Sequence, residues 1–242
     1  MNLSKNDIKL ISSLQQKKYR QKYKLFVAEG VKVIKELLAS SFVLKQLYLV
    51  DDLFLNVPEN KRMLITEKEL KKISQLKTPN KVIGLFEIPE PQAILTEGLI
   101  LALDDINDPG NLGTMIRLCD WFGIDQIICS KDTVDCFNQK VVQATMGSLS
   151  RVRIAYVDLF AYLEQAEVPI FIADMEGENI YKTNLPKSGI LVMGNEANGI
   201  SPAISKLNTT CISIPRFGKV QQTESLNVAT ATAIILSEFK RN

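Results

Sequence analysis

Histidine is absent from the 242 residues. That absence removes Ser-His-Asp and Cys-His nucleophilic machinery, HExxH zinc sites and imidazole general-base chemistry. Any catalysis must then rest on arginine, lysine, carboxylates, amides, hydroxyls or backbone groups. Cysteine is scarce: Cys119, Cys129, Cys136 and Cys211 all lie beyond residue 118, and none pairs as CxxC. They read as reduced, mostly core-facing thiols of a cytoplasmic protein. No apolar run approaches the ~20 residues that span a bilayer. The start, "MNLSKNDIKL", lacks the apolar stretch of a signal peptide. No membrane partner and no metal are expected. Neither GxGxxG nor GxxxxGKS/T occurs, which disfavours ordinary dinucleotide and Walker phosphate loops. Repeats and low-complexity tracts are missing too.

Apolar residues make up 46% of the chain, enough for a real core. The net charge of +2 hides an asymmetry. Residues 1–90 hold 17 Lys+Arg against 10 Asp+Glu, leaving 12 against 17 for the remainder. A basic front half points to an anionic polymer, nucleic acid above all. Solvated surface lysines account for the same numbers equally well. The stretch "SKNDIKLISSLQQKKYRQKYK" (4–24) begins with helical spacing and ends in Lys17, Lys18, Arg20, Lys22 and Lys24, interleaved with Tyr19 and Tyr23. Cations beside aromatics suit RNA, charge on phosphate and rings against bases.

Residues 1–90 read as a small α/β domain. "LFVAEGVKVIKELLAS" is a short apolar strand, a Glu-Gly turn and a helix with Val31, Ile34, Leu37 and Leu38 on one face; "LKQLYLV" and "KVIGLFEI" are further strands, and "TEKELKKISQL" is a helix with a Thr66–Glu69 capping box. "PEPQAILTEG" supplies a linker near 89–98. From 98 to 242 apolar strands alternate with helices. "LILALDDI" leads to a helix from about 111 to 122; "QIIC", "PIFIADM", "GILVMG" and "CISI" are further strands, and "LNVATATAIILSEFKR" is a long last helix. This pattern predicts a parallel sheet covered on both faces.

In such sheets ligands bind beyond the carboxyl ends of the strands. Three such ends are rich in Gly, Asn and Glu. In "NDPGNLGTMIRLCDWFG" (107–123) Asn111 reads as an N-cap, and Arg117 falls off the buried face. An Arg117–Asp120 surface pair is the plainer reading of that arginine. In "LVMGNEANGISP" (191–202) Asn195, Glu196 and Asn198 crowd the exit from Gly194, and Ser201-Pro202 opens a short helix. In "ISIPRFGKVQQTESLNVATATAIILSE" (212–238) a loop with Arg216 and Lys219 precedes Ser225, a plausible N-cap for the last helix.

In this order the three segments "NDPGNLGTMIR", "LVMGNEANGIS" and "IP…ESLNVATATAIILSE" closely resemble the signature motifs of the SpoU family, the 2′-O-ribose RNA methyltransferases of the SPOUT superfamily. The resemblance covers roughly 98–242. "KKYRQKYKLFVAEGVKVIKELL" is similar to a substrate-binding domain of ribosomal L30e-like fold. The resemblance implies an α/β fold: a parallel-sheet SPOUT domain ending in a trefoil knot, preceded by the L30e-like domain. It implies S-adenosyl-L-methionine as cofactor, ribosomal RNA sooner than transfer RNA as substrate, and a homodimer formed through the knotted domain. Catalysis then falls to Arg117, Asn111, Glu196, Ser225 and Asn227. The cofactor falls to Ala173, Met175, Met193, Gly194, Asn195, Ile214, Pro215, Ser225 and Leu226. RNA falls to Lys17, Lys18, Arg20, Lys22, Lys24 and Arg117. The loop 216–224 is longer and more polar than in many relatives. Two other readings compete: an RNA-binding protein that kept this fold without the chemistry, and a different doubly wound nucleotide enzyme.

Overall fold

The computed structural model describes residues 3–218, 220 and 225–241. The chain divides into two compact units, Met1–Pro91 with Asp135–Ser150, and Gln92–Val134 with Arg151–Asn242.

The first unit opens with α1 (Lys5–Ser13) and α2 (Lys17–Tyr23), then β1 (Leu25–Glu29), α3 (Val31–Leu38), β2 (Leu44–Leu49), β3 (Arg62–Leu64), α4 (Glu67–Ile73) and β4 (Val82–Glu87). Its sheet runs β1-β4-β2-β3, with β4 antiparallel to both neighbours and β3 parallel to β2. All five residues of β1 are buried, so its apolar run is legible without alternation. Two capping boxes start helices, Ser4 with Asp7 and Thr66 with Glu69, the second as its spacing predicts. Glu69 also accepts from the Leu3 amide at 3.0 Å. These bonds hold its carboxyl below the usual range, the Thr66 amide first among them.

The second unit holds β5 (Leu99–Leu103), α5 (Pro109–Phe122), β6 (Gln126–Ser130), β7 (Arg153–Val157), α7 (Leu159–Glu164), β8 (Ile170–Asn179), β9 (Gly189–Met193), β10 (Thr210–Ser213) and α8 (Val228–Lys240). The helix between them in sequence, α6 (Gln139–Thr145), lies in the first unit and packs on β1. Six strands run β10-β8-β9-β5-β6-β7, every pair parallel. On one face Ile100, Ala102, Ile128, Ile170, Ile172 and Val192 pack with Leu159 and Leu163 of α7. Phe171 points the other way, as the two-residue period requires, and meets Phe239 of α8 edge-on at 5.3 Å. Helix α8 packs on α5, whose Leu112, Met115, Ile116 and Cys119 are fully buried.

Several local readings change. Asp108, not Asn111, caps α5: its Oδ1 accepts from the Asn111 amide at 2.8 Å, and Pro109 takes the first turn, where a missing N–H costs nothing. Asn227, not Ser225, caps α8. Only a 3-10 turn, Ile204–Lys206, follows Ser201-Pro202. Strands β3 and β7 carry no clear pattern; one has three residues and the other is a half-exposed edge. Strand β8 runs past its expected end. Its pairing jumps from Ile172↔Cys211 to Glu178↔Ile212, looping out residues 173–177. A Cβ on Gly177 would lie 2.6 Å from the Ile212 backbone, so only glycine closes that loop.

Candidate active site

The loops beyond β5, β8, β9 and β10 share the carboxyl end of one parallel sheet, where this architecture places ligands. At the end of β5, buried Asp104 accepts from the Ser201 amide at 2.7 Å. Asp105 follows with φ +58°, a left-handed conformation uncommon outside glycine. Its carbonyl accepts from Asn195 Nδ2 at 2.7 Å. Asn195 Oδ1 in turn accepts from the Ala197 and Asn198 amides at 2.8 and 3.0 Å. The loop after β9 therefore folds back tightly. A Cβ on Gly194 would lie 2.5 Å from the Ile200 nitrogen. The aspartates were not singled out from the sequence; the signal available was a carboxylate pair ending an apolar strand in "LALDDI".

A chain of side-chain amides joins the three loops. Asn227 Oδ1 accepts from the Ala229 and Thr230 amides at 3.0 and 3.2 Å. Its Nδ2 is thereby aimed outward and donates to Asn111 Oδ1 at 2.9 Å. Asn111 Nδ2 then donates to Glu196 Oε1 at 2.7 Å. Each amide is fixed by the one before it, so the helix N-terminus sets the orientation of the Glu196 carboxylate. Because Asp108 serves the backbone, the Asn111 side chain is left for this bridge.

Beside this chain lies a cavity of about 960 Å³. Its lining includes Ala173, Met175, Met193, Gly194, Asn195, Ile214, Pro215, Ser225 and Leu226, together with Glu196. All nine residues expected around a cofactor therefore meet. Ile212, Val228, Ala231 and Ile235 complete an apolar floor. Arg216 Nη2 lies 2.9 Å from Met175 Sδ at the rim, where Phe217 is 83% exposed. Lys219, expected in the same loop, lies outside the described residues.

The structure does not bring Arg117 into that lining. It stands exposed on α5 in a stripe with Thr114 and Trp121, six residues on from Asn111 and about 120° round the helix from it. Its expected surface partner Asp120 is taken by Arg151 at 2.9 Å instead. Of the basic set, Lys17, Lys18, Lys22 and Lys24 are exposed. Arg20 is the exception: it is 2% exposed, and its Nη2 binds Asp135 Oδ2 at 2.6 Å. A guanidinium so enclosed has no face left for phosphate, so Arg20 leaves the RNA-facing set.

Cys119 and Cys211 are held as thiols. Burial pushes the Cys119 thiol far up, with Asp120 adding to it. Burial, then Asp174 and Glu178, also raise Cys211. A thiol held protonated is a poor nucleophile. Among the described residues no group of three or more Cys, Asp or Glu is placed to hold a metal, and no helix is long and apolar enough to cross a membrane.

A parallel α/β sheet whose strand-end loops enclose an apolar cavity beside an ordered amide–carboxylate chain defines an α/β protein with a small-molecule site at the carboxyl ends of its strands. Residues 98–237 match the SpoU rRNA Methylase family, and the chain belongs to that family. Residues 5–84 match the MRM3-like substrate binding domain. The chain is 28% identical over 243 residues to the 23S rRNA (guanosine(2553)-2'-O)-methyltransferase RlmP of Bacillus subtilis, covering 94% of this chain and 93% of that one. A solved protein from Porphyromonas gingivalis, assigned to the TrmH family of RNA methyltransferases, superposes with TM-score 0.89 at 36% identity over 99% of this chain and 98% of its own. The AdoMet-bound rRNA methyltransferase from Sinorhizobium meliloti gives TM-score 0.86 at 30% identity, covering 100% and 97%.

Proposed function

We propose that the chain transfers a methyl group from S-adenosyl-L-methionine to a ribose 2′-hydroxyl of ribosomal RNA, in the cytoplasm and as a homodimer. The observation that carries this reading is the amide chain from α8 through Asn227 and Asn111 to Glu196, set against the cavity. The cavity fits the donor. Its floor is apolar, its wall is bare backbone at Gly194, and its volume falls within the ~300–1,000 Å³ of small-molecule sites. Threading of the C-terminal segment into a knot around the cavity belongs to the same reading.

When bound, S-adenosyl-L-methionine supplies an electrophilic methyl on a sulfonium. The chain's residues must do the rest: hold the 2′-oxygen in line with that methyl and help its proton leave. Positioning alone contributes up to ~7–11 kcal/mol in ideal cases. Ser225 and Asn227 orient ribose or the donor's carboxylate. Glu196 keeps one oxygen on Asn111; the other accepts no hydrogen bond among the described residues and faces the site as a ribose acceptor.

A guanidinium offers donors and charge but no acceptor, so Arg117 acts as a cation, not a base. It clamps the 3′ phosphate and lowers the hydroxyl's pKa by charge. Its angle from Asn111 on one rigid helix favours service to the site of a second copy of the chain. This supports dimerisation through the second unit, with the exposed Trp121 beside Arg117 on the shared face. The test is a map of 2′-O-methyl positions in ribosomal RNA from cells with and without the protein. The reading expects one or a few positions to disappear with it; identical maps overturn it.

A further inference from the structure

The methyl-transfer site makes no use of helix α2. Tyr19 and Tyr23 lie one turn apart on it and stack, with ring centres 6.2 Å apart and planes 14° from parallel. Lys18 Nζ lies 4.9 Å from the centre of the Tyr19 ring, and Lys22 Nζ lies 5.4 Å from that of Tyr23. Tyr23 is 43% exposed. The opposite side of the helix is anchored. Arg20 Nε and Nη2 hold Asp135 Oδ2 at 2.8 and 2.6 Å, and Nη1 donates to the Leu14 and Gln15 carbonyls at 2.8 and 2.9 Å. A seven-residue helix does not persist by propensity. The buried ion pair fixes it, and so fixes an aromatic pair whose Tyr23 ring stays partly open to solvent.

We propose that α2 is a stacking platform for an unpaired segment of the RNA substrate. An exposed base would lie on the outer face of the tyrosine pair, and the lysines would hold the flanking phosphates. The proposal rests on the reading of the chain as an RNA-directed enzyme. The chemistry selects the occupant. Cations at 17, 18, 22 and 24 call for a polyanion, and paired rings call for flat π-faces. Bases inside a duplex have both faces covered, so only loops, bulges and ends present one. Arg20 is a positioning residue: it touches no RNA and holds the helix that does.

The test uses the full chain and two fluorescently labelled RNAs of equal length, one a hairpin with a wide loop and one fully paired. Anisotropy titrations read both affinities. The double variant Tyr19→Leu/Tyr23→Leu is expected to lose about tenfold for the loop RNA and little for the duplex, whereas Tyr19→Phe/Tyr23→Phe keeps both. Lys22→Gln is expected to weaken both RNAs alike and to lower the salt dependence. Equal binding of loop RNA by wild type and the leucine variant, or equal losses on both RNAs, overturns the proposal. A loop carrying 2-aminopurine, titrated with unaltered protein, guards against misfolding of the variants. Stacking should quench its fluorescence, and unchanged fluorescence at saturation overturns the platform. Calorimetry with S-adenosyl-L-methionine separates the two readings: wild-type protein that fails to bind the donor fails the methyltransferase reading, not this one.

Discussion

Asn227 performs two tasks with one amide. Its oxygen caps α8, and its nitrogen orients Asn111. The tasks separate by substitution. Asn227→Asp keeps an oxygen for the helix amides, so its melting temperature should stay near wild type. It removes the donor to Asn111, so methyl transfer should fall at least ~100-fold if the amide orders the site as argued. Asn227→Ala should lose the same activity and about 1 kcal/mol of stability as well. Thermal melts beside transfer rates check both, and full activity in Asn227→Asp would refute the orienting role. Gly194→Ala tests the cavity wall. Its methyl would collide with the backbone at Gly199 and Ile200, so donor affinity measured by calorimetry should drop by about tenfold or more. The residue scale was the most legible in sequence. Asn111, Glu196, Asn227 and the nine cavity residues stood in recognisable segments. What sequence did not resolve was which of two competent groups takes a given partner. Asp108 and Asn111 are both good caps, and Asp120 has two arginines within reach of its turn. Three-dimensional distance decides such choices, and spacing does not.

At the scale of elements, long apolar strands and strongly periodic helices were readable because burial dictates their pattern. Strands β3 and β7 were not, since short or half-exposed edges need no pattern. The looped-out residues 173–177 were hidden as well, because a pairing jump leaves no mark on composition. Glu29, at the end of β1, ties three segments of the first unit. It accepts from Ser74 Oγ at 2.6 Å, from the Gln75 amide at 2.8 Å, and from Gln139 Nε2. Burial raises its pKa above the ordinary 4.5 of a glutamate; the bonds from Gln75 and Ser74 oppose the shift without cancelling it. Folded Glu29 therefore holds a proton more tightly than unfolded Glu29. Its contribution to stability is full below pH 4.5 and is lost as pH rises through the folded value. Denaturant unfolding from pH 4.5 upward should show this downward component in wild type. Glu29→Gln should remove it. Parallel pH profiles for the two proteins would contradict the assignment.

For the whole molecule, residues 5–84 match a substrate binding domain, and the cavity lies in the second unit; the proposed reading gives the first the task of holding RNA and the second that of modifying it. The charge imbalance between the chain's halves was visible in composition; the assignment of 135–150 to the first unit was not, because the segment lies inside the second unit's sequence. A site shared between two copies of the chain is testable by mixing variants. Arg117→Ala and Asn227→Ala should each be nearly inactive alone. If Arg117 serves a second copy's site, a mixed dimer carries one intact site and one doubly damaged site. Random exchange then restores about a quarter of wild-type transfer. No recovery in the mixture would place Arg117 and Asn227 in one chain's site.

The chemistry itself is tested most directly by following the methyl group. Protein is incubated with ribosomal RNA lacking modification and with radiolabelled S-adenosyl-L-methionine, and the RNA is then digested with alkali. A methylated 2′-oxygen cannot attack its neighbouring phosphate, so the account predicts label in alkali-resistant dinucleotides, lost with Asn111→Ala. Label released as mononucleotides would mean a methylated base, and would contradict the assignment of this site to the ribose hydroxyl.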